Sequence, residues 1–274
     1  MKIRIITSII TLPLLIVVLA VLPPIFTALL LMAMCAVAAY ELLWTTGYIR
    51  QIRLLIYTMA AAVGTGLWSY LGSPHGWGLA GILLFSCILF GEMLFSQAKL
   101  PFTKVALCFA GGLLVPYLLC SIVRLRVMEN GGIYVLLPFA IAFMSDSCAY
   151  FVGLLLGKHK LAPNISPKKT VEGMFGGIAG AVLGMMIFGL VLMLCFNLRV
   201  NFLFAIVYGV LGSLGSVMGD LTFSVIKRQT GIKDYGKVIP GHGGVLDRFD
   251  SMTVVAPLTE ALLILIPIAE KING

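Results

Sequence analysis

Long apolar stretches alternate with short polar ones along the whole chain. A helix needs about twenty mostly apolar residues to cross the hydrocarbon of a bilayer, and nine stretches approach this length. The pattern therefore predicts an all-α, polytopic membrane protein with about nine transmembrane helices. The predicted spans are residues 5–22, 25–43, 54–71, 79–95, 105–123, 133–156, 173–195, 202–218 and 252–269.

Composition supports this class. Of the 274 residues, 60% are hydrophobic and only 11% are charged, whereas soluble domains carry about 25% charged residues. Such a chain cannot hide its apolar residues in one soluble core, which excludes a soluble enzyme, a disordered protein and a DNA-binding domain despite the net charge of +8. Nucleic acid is not an expected partner. The first span is interpreted as a retained helix because similar segments follow it.

The basic residues predict the orientation. With the N-terminus inside, the inner segments carry fifteen of the nineteen Lys and Arg residues, and cytoplasmic loops are the ones enriched in Lys and Arg. The N-terminus is therefore predicted to be cytoplasmic and the C-terminus to be outside. Arg124 and Arg126 fall on the outer side against this trend, and Pro23-Pro24 leaves open a helical hairpin in place of two full spans.

Two inner loops, residues 157–172 and 219–251, hold nine of the nineteen basic residues. Binding residues are often on loops, so function is expected in these loops and at the adjoining helix ends. The six cysteines lie in apolar segments without a C-x-x-C spacing. Neither a disulfide framework nor a cysteine metal site is therefore predicted.

One helix face near the second loop combines opposite charges. Asp220, Ser224, Lys227 and Arg228 have spacings of four, seven and eight, which place them on the same side of a helix. A buried carboxylate at a membrane boundary requires a cation, either a basic side chain or a metal. Small residues extend this face upstream and predict close helix packing; they are Gly209, Gly212, Ser216 and Gly219.

The same loop continues into a glycine-rich stretch around His242. Gly243 and Gly244 would let backbone N–H groups converge on a phosphate, although a simple turn is the alternative. Asp247 and Asp250 follow, and carboxylates in this setting either bind Mg²⁺ together with substrate phosphates or cap the next helix.

The first loop follows Asp146, an ionisable residue inside an apolar segment and hence a functional candidate. Several polar residues that could bind phosphate follow. They are Asn164, Ser166, Lys168, Lys169 and Thr170. The alternative is that the lysines only mark the inner side and that Asp146 partners a buried cation. Glu41, Glu92 and Glu172 near inner helix ends are more typical of interface or capping residues.

Glycines 173, 177, 180 and 184 form small-xxx-small spacings. Such spacings let two helix backbones approach closely. They predict either an internal packing face or a dimer seam.

Together these residues resemble a known signature. Ser224 to Arg228, Lys233-Asp234, Gly236 and the run from Pro240 to Asp250 resemble the motif of the phosphatidate cytidylyltransferase, or CDP-diacylglycerol synthase, family. Residues 145–151 and 157–173 are also similar to that family. The resemblance extends from about residue 141 to 260, and the N-terminal helices agree with the family only in hydropathy and size.

The resemblance implies a multi-pass enzyme of the bacterial inner membrane, with its active site facing the cytoplasm, which forms a homodimer. It would convert CTP and phosphatidic acid, a membrane lipid, into CDP-diacylglycerol and pyrophosphate. Mg²⁺ is the implied cofactor, assisted by a monovalent cation such as K⁺. A single membrane-embedded domain, 1–274, is expected, with N-terminal helices in 1–130 and catalytic helices and loops in 131–274.

The residues receive roles accordingly. Asp220, Asp247 and Asp250 are expected to hold the metal, and Asp220 and Asp247 to act in catalysis with the neighbouring cations. Those cations are Lys227, Arg228 and Arg248. The residues expected to bind substrate are Asp146, Asn164, Ser166, Lys168, Lys169, Ser224, Lys233, His242, Gly243 and Gly244.

Two other functions remain open at this point. A membrane lipid or polyisoprenol kinase using CTP would need a similar phosphate grip, and a transporter of an anionic metabolite would need a similar basic cavity. The chain has no G-x-x-x-x-G-K-[ST] phosphate loop, H-E-x-x-H motif or G-x-S-x-G elbow. P-loop ATPases, zincin proteases and lipases are therefore poorly supported.

Overall fold

The computed structural model describes residues 13–97, 99–236 and 243–271. These residues form two compact units, one from the described parts of 1–134 and 229–249, the other from the described parts of 135–228 and 250–274. The sequence-based subdivision at residue 130 follows chain order. The compact units do not, because segment 229–249 belongs with the N-terminal helices.

Helices dominate both units. In chain order they are α1 (Pro24–Tyr40), α2 (Ile52–Tyr70), α3 (His75–Phe95), α4 (Phe102–Phe109), α5 (Val115–Leu119), α6 (Ser121–Val127), α7 (Gly131–Tyr134), α8 (Leu137–Leu156), α9 (Val171–Phe196), α10 (Phe202–Gln229), α11 (Leu246–Phe249) and α12 (Met252–Leu265). Three π-helical segments, Val17–Val21, Glu41–Thr45 and Ala110–Leu114, adjoin them. Proline opens α1 at its first position, where the missing N–H has no helical partner to lose.

Seven helical segments among the described residues are long and apolar enough to span a membrane, which confirms the all-α polytopic class. They are Pro24–Thr45, Ile52–Tyr70, His75–Phe95, Phe102–Val127, Gly131–Leu156, Val171–Phe196 and Phe202–Gln229. Most of the predicted first span, 5–22, lies outside the described residues.

The predicted last span, 252–269, is wrong in length. Helix α12 has 14 residues and ends at Leu265, because Pro267 disfavours a helical conformation at the residue before it. Ile266 is accordingly non-helical, with φ −140° and ψ 76°.

Four short strands were not predicted. β1 (Lys160–Ala162) pairs antiparallel with β2 (Ser166–Thr170), and β3 (Leu198–Val200) pairs antiparallel with β4 (Ala269–Lys271). Strands of three to five residues leave no hydropathy signal beside spans of about twenty residues. The β1–β2 hairpin connects α8 to α9 within the second unit.

Glycines on α9 allow α8 to pack against it at close range. A Cβ built on Gly180 would lie 2.4 Å from the Cβ of Cys148, and one on Gly176 would lie 2.5 Å from the Cβ of Val152. Among the two interpretations of the small-residue spacing, the structure therefore shows an internal packing face.

The small residues of α10 likewise allow neighbouring segments to approach its backbone closely. A Cβ on Gly209 would lie 2.6 Å from the Cα of Val182, and one on Gly219 would lie 2.5 Å from the carbonyl oxygen of Asp250. The stripe thus brings the start of the α12 segment against α10, beside Asp220.

The two arginines on the predicted outer side have partners inside the first unit. Arg124 donates to the Ser121 hydroxyl at 2.7 Å, and its guanidinium lies 4.3 Å from the centre of the Tyr117 ring. Arg126 donates to the carbonyl oxygen of Leu22 at 2.8 Å. Both arginines therefore have partners among the described residues of their own unit.

We expect Gly180→Ala to destabilise the protein by about 1–3 kcal/mol, because the added methyl group overpacks the α8–α9 contact. Gly81→Ala on α3 is the matched control, since nothing lies within 4 Å of its Cβ position. It should be neutral or stabilising by up to about 1 kcal/mol, as expected from helix propensity. Thermal unfolding of both variants in detergent measures the difference, and equal midpoints would contradict the packing assignment.

Candidate active site

Two neighbouring lysines, Lys168 and Lys169, lie on opposite faces of the β1–β2 hairpin. Successive side chains of a strand point to opposite faces, and on β2 Lys168 is exposed whereas Lys169 is partly buried. Thr170 ends the strand and caps α9 by accepting a hydrogen bond from the Gly173 N–H at 3.1 Å. The cap fixes the point at which strand becomes helix, and so helps to set the position of Lys169.

Lys169 forms an ion pair with Asp220. Its Nζ lies 2.5 Å from Asp220 Oδ2, and the two side chains are only 26% and 29% exposed. Ser224, one turn further along α10, donates to Asp220 Oδ1 at 3.1 Å. The sequence predicted that Asp220 would need a cation, and the structure supplies one from the other polar loop.

Two further carboxylates lie near Asp220 in the same unit. Asp146 on α8 accepts a hydrogen bond from the buried Ser216 hydroxyl at 3.1 Å. Asp250, just before α12, accepts one from the Ser251 N–H at 2.7 Å. We refer to Asp146, Asp220 and Asp250 as the carboxylate cluster.

Burial is the main influence that raises the pKa of Asp250, to about 7. The nearby charge of Asp220 raises it further, and that of Asp146 adds a smaller contribution in the same direction. The Ser251 N–H and the Lys227 ammonium act in the opposite direction. The charges of the two neighbouring aspartates thus add to an effect that burial dominates.

The remaining predicted site residues of the second unit differ in exposure and in their contacts. Lys227 is close enough to Asp250 to influence it electrostatically. Arg228 is exposed and donates from Nε to the Ile165 carbonyl at 3.1 Å, which ties α10 to the hairpin turn. Asn164 in that turn is exposed, and Ser166 is partly buried.

Asp247 closes the base of the glycine-rich loop in the first unit. Its Oδ2 accepts hydrogen bonds from the Tyr235 N–H at 2.7 Å and the Gly244 N–H at 3.0 Å. Gly243 has φ +92°, a left-handed conformation that favours glycine. Two predicted site residues, Lys233 and Arg248, are exposed in this unit, and His242 lies outside the described residues.

Sequence reasoning missed one residue of this loop base. Glu41 is fully buried and accepts hydrogen bonds from the N–H groups of Val245 and Leu246 at 3.0 and 2.9 Å. The rule that selected Asp146, an acid inside an apolar segment, applies equally to Glu41. The other two acids assigned to helix ends have local partners: Glu92 accepts from the Tyr57 hydroxyl, and Glu172 accepts from the N–H of Lys158.

The oxygen atoms of the carboxylate cluster are of the donor type that Mg²⁺ prefers. Among the described residues, no group of three His, Cys, Asp or Glu side chains is arranged to hold a metal ion. Proteins commonly bind Mg²⁺ through one or two carboxylates, with substrate phosphates and water completing the shell. The repulsion between Asp220 and Asp250 is the kind of charge excess that a divalent cation relieves.

Comparisons with known proteins all point to one family. The model of the cytidylyltransferase family matches residues 2–266. A phosphatidate cytidylyltransferase of Staphylococcus epidermidis is 38% identical over 187 residues, which cover 68% of this chain and 69% of that protein. Proteins of the same name from Staphylococcus saprophyticus and Staphylococcus aureus are each 36% identical, with the same shares of both chains covered.

The raised pKa of Asp250 predicts how stability depends on pH. An unfolded Asp ionises near its ordinary value of 3.8, whereas the folded one keeps its proton until about pH 7. The folded state therefore binds more protons between these values, and this contribution to stability falls as pH rises through that window. We expect Asp250→Asn to reduce the fall in unfolding temperature between pH 5 and pH 8, measured in detergent with a chelator.

Asp234→Asn is the control for this experiment, because it makes the same chemical change at an exposed position. Its profile against pH should follow that of the unmodified protein. A profile of Asp250→Asn that also follows the unmodified protein would contradict the assignment.

Proposed function

The chain belongs to the cytidylyltransferase family, and on that premise we propose how it transfers the cytidylyl group of CTP to phosphatidic acid, giving CDP-diacylglycerol and pyrophosphate. The observation that carries the activity is the 36–38% identity to proteins named phosphatidate cytidylyltransferase over two thirds of both chains. The chain is therefore a nucleotidyltransferase that works on a membrane lipid.

The reaction joins two anions. An oxygen of the phosphatidate phosphate attacks the α-phosphorus of CTP, the bond from that phosphorus to the β-phosphate oxygen breaks, and pyrophosphate leaves. Because the nucleophile is already anionic, no strong general base is required. Positioning and charge neutralisation are then the main contributions that a protein makes to lowering the barrier.

Cations of the second unit provide the neutralisation in our proposal. Lys169 and Lys227 both act on the carboxylate cluster, Lys169 through its ion pair with Asp220 and Lys227 through its charge near Asp250. A phosphate entering beside the cluster would meet both ammonium groups. Arg228 and Lys168 are exposed, so we assign them to the approach of the polyanionic nucleotide.

We propose that Asp220 and Asp250 hold Mg²⁺ together with substrate phosphates. A bound Mg²⁺ would supply Lewis-acid polarisation of phosphoryl oxygens and stabilise the leaving pyrophosphate. Asp146 would orient the cluster through its hydrogen bond with Ser216. The predicted participation of Asp247, and of a monovalent cation such as K⁺, stays a prediction, because the contacts of Asp247 described above are with the backbone of its own loop.

Assembly and location are proposals of the same kind. The excess of Lys and Arg in the two polar loops supports a cytoplasmic active site under the positive-inside rule. We propose a bacterial inner-membrane location, where both CTP and phosphatidic acid are accessible, and a homodimer.

We expect the purified protein in detergent to release pyrophosphate when given CTP, Mg²⁺ and phosphatidic acid. Asp220→Asn should lower turnover by about 10²-fold or more, as is typical when a charge-stabilising group is removed from an active site. Asp247→Asn tests the second predicted ligand in the same assay. A coupled pyrophosphate assay measures both variants against the unmodified protein.

The nucleotide product separates the alternatives. Release of CDP without pyrophosphate would identify a kinase, and lipid-vesicle uptake without turnover would identify a transporter. Normal turnover by a folded Asp220→Asn protein would contradict the role of the carboxylate cluster.

The side chains of Lys168 and Lys169 on β2 lie on an exposed and a partly buried face, respectively, so we predict that substituting Lys169 reduces activity more than substituting Lys168. Lys169→Met removes the cation beside Asp220 and should lower kcat/KM by at least about 10-fold, since a charge partner of a partly buried carboxylate is lost. Lys168→Met changes an exposed residue of the same strand and should cost less. Steady-state kinetics with varied CTP measure both, and an equal or larger loss for Lys168→Met would contradict the assignment.

A further inference from the structure

Glu41 is the most completely enclosed acid among the described residues. Its side chain has 0% exposure, and one carboxylate oxygen accepts from the Val245 N–H while the other accepts from the Leu246 N–H. An isolated buried carboxylate is costly unless donors satisfy it. Here the donors are the consecutive backbone N–H groups that open α11.

Two glycines show that this enclosure is tight. A Cβ on Gly236 would lie 2.3 Å from Glu41 Oε1, and a Cβ on Gly244 would lie at the same distance. Real Cβ atoms do not approach so closely, so both positions must lack a side chain while Glu41 keeps its place. The carboxylate therefore lies between the backbone at Gly236 and the backbone at Gly244, one on each side of residues 237–242.

Asp247 closes the same loop base from the other side. Its Oδ2 joins the Tyr235 N–H to the Gly244 N–H. Together, Glu41 and Asp247 bind the N–H groups of four residues at the loop base, which we define as Tyr235–Gly236 and Gly243–Asp247. Moving either carboxylate would move Gly243 and Gly244, which the sequence predicts to bind phosphate. The N–H of Gly244 is already donated to Asp247, so the expected role of Gly244 as a phosphate donor is wrong in this structure, and what the loop base sets is the position of the backbone.

The backbone conformation at Glu41 helps to set the direction in which its side chain points. Helix α1 ends at Tyr40, and Glu41 begins the π-helical segment Glu41–Thr45. A π-helical turn changes the angular position of the residues that follow and is frequent at functional sites. The wider turn starts at the residue whose carboxylate reaches the loop.

We propose that Glu41 is a positioning residue for the reaction: it holds the base of the glycine-rich loop in the geometry that the nucleotide phosphates require. This inference rests on the proposed function. Glu41 contacts neither substrate nor reacting atoms in this scheme; it acts through the backbone of Gly244 to Leu246 and through the neighbouring Asp247.

The test compares Glu41→Gln, Glu41→Asp and Glu92→Gln in the full-length protein in detergent. Glutamine at position 41 presents an amide N–H₂ to a backbone N–H, so one hydrogen bond is lost and two donors face each other. We expect kcat per folded molecule to fall by about 10²-fold, with a smaller change in KM for CTP, because misplacement of the loop affects the reacting geometry. Glu41→Asp should recover part of the loss.

Glu92→Gln is the matched control, since it makes the same change in the same unit, where the partner of Glu92 is the Tyr57 hydroxyl. It should leave kcat within about twofold of the unmodified protein. A Glu41→Gln protein that is folded and keeps kcat within the same range would overturn the proposal.

Hydrogen–deuterium exchange gives a readout that does not depend on activity. The Val245 and Leu246 amides of the unmodified protein should exchange slowly, and in Glu41→Gln their exchange should rise by at least about tenfold, while amides of α9 stay protected. Fast exchange at these amides in the unmodified protein would overturn the proposal even if the variants did not fold. Absence of pyrophosphate release by the unmodified protein would instead reject the proposed function, so the two failures are distinguishable.

Discussion

The ion pair between Lys169 and Asp220 is the contact around which the charged side chains of the second unit are arranged. It joins a short hairpin to the C-terminal half of α10, and it offsets part of the negative charge that Asp146 and Asp250 add nearby. A carboxylate with only 29% exposure is costly without a partner that satisfies its charge. The raised pKa of Asp250 reflects its burial first and the negative charges of its neighbours second.

Close backbone packing places these charges. Glycines on α9 let α8 approach within van der Waals contact, and Gly219 on α10 admits the backbone at Asp250. Each carboxylate of the cluster therefore stands on a separate, closely packed segment, held by contacts that do not depend on the charges themselves. A rigid arrangement of this kind suits a reaction whose barrier falls mainly through positioning and electrostatics.

In the first unit, backbone N–H groups are the hydrogen-bond partners of the two carboxylates at the loop base. Glu41 and Asp247 both accept hydrogen bonds from N–H groups at the base of the glycine-rich loop. Two acids that are 206 positions apart in the chain thus act on one short segment. Glu41, although it lies near the N-terminus, therefore contacts the same segment as the motif residues near the C-terminus.

Hydropathy alone determined the membrane class and most of the spans, because each depends on about twenty consecutive residues and the bilayer requires apolar side chains at nearly all of them. The motif residues also followed from the sequence, since their spacing along one helix or loop is local. Only the tertiary structure decided that Lys169 and not Lys168 pairs with Asp220, that α12 stops short, and that Glu41 supports the loop. Those facts depend on strand alternation, on a single proline and on contacts between distant segments, for which spacing along the chain carries no information.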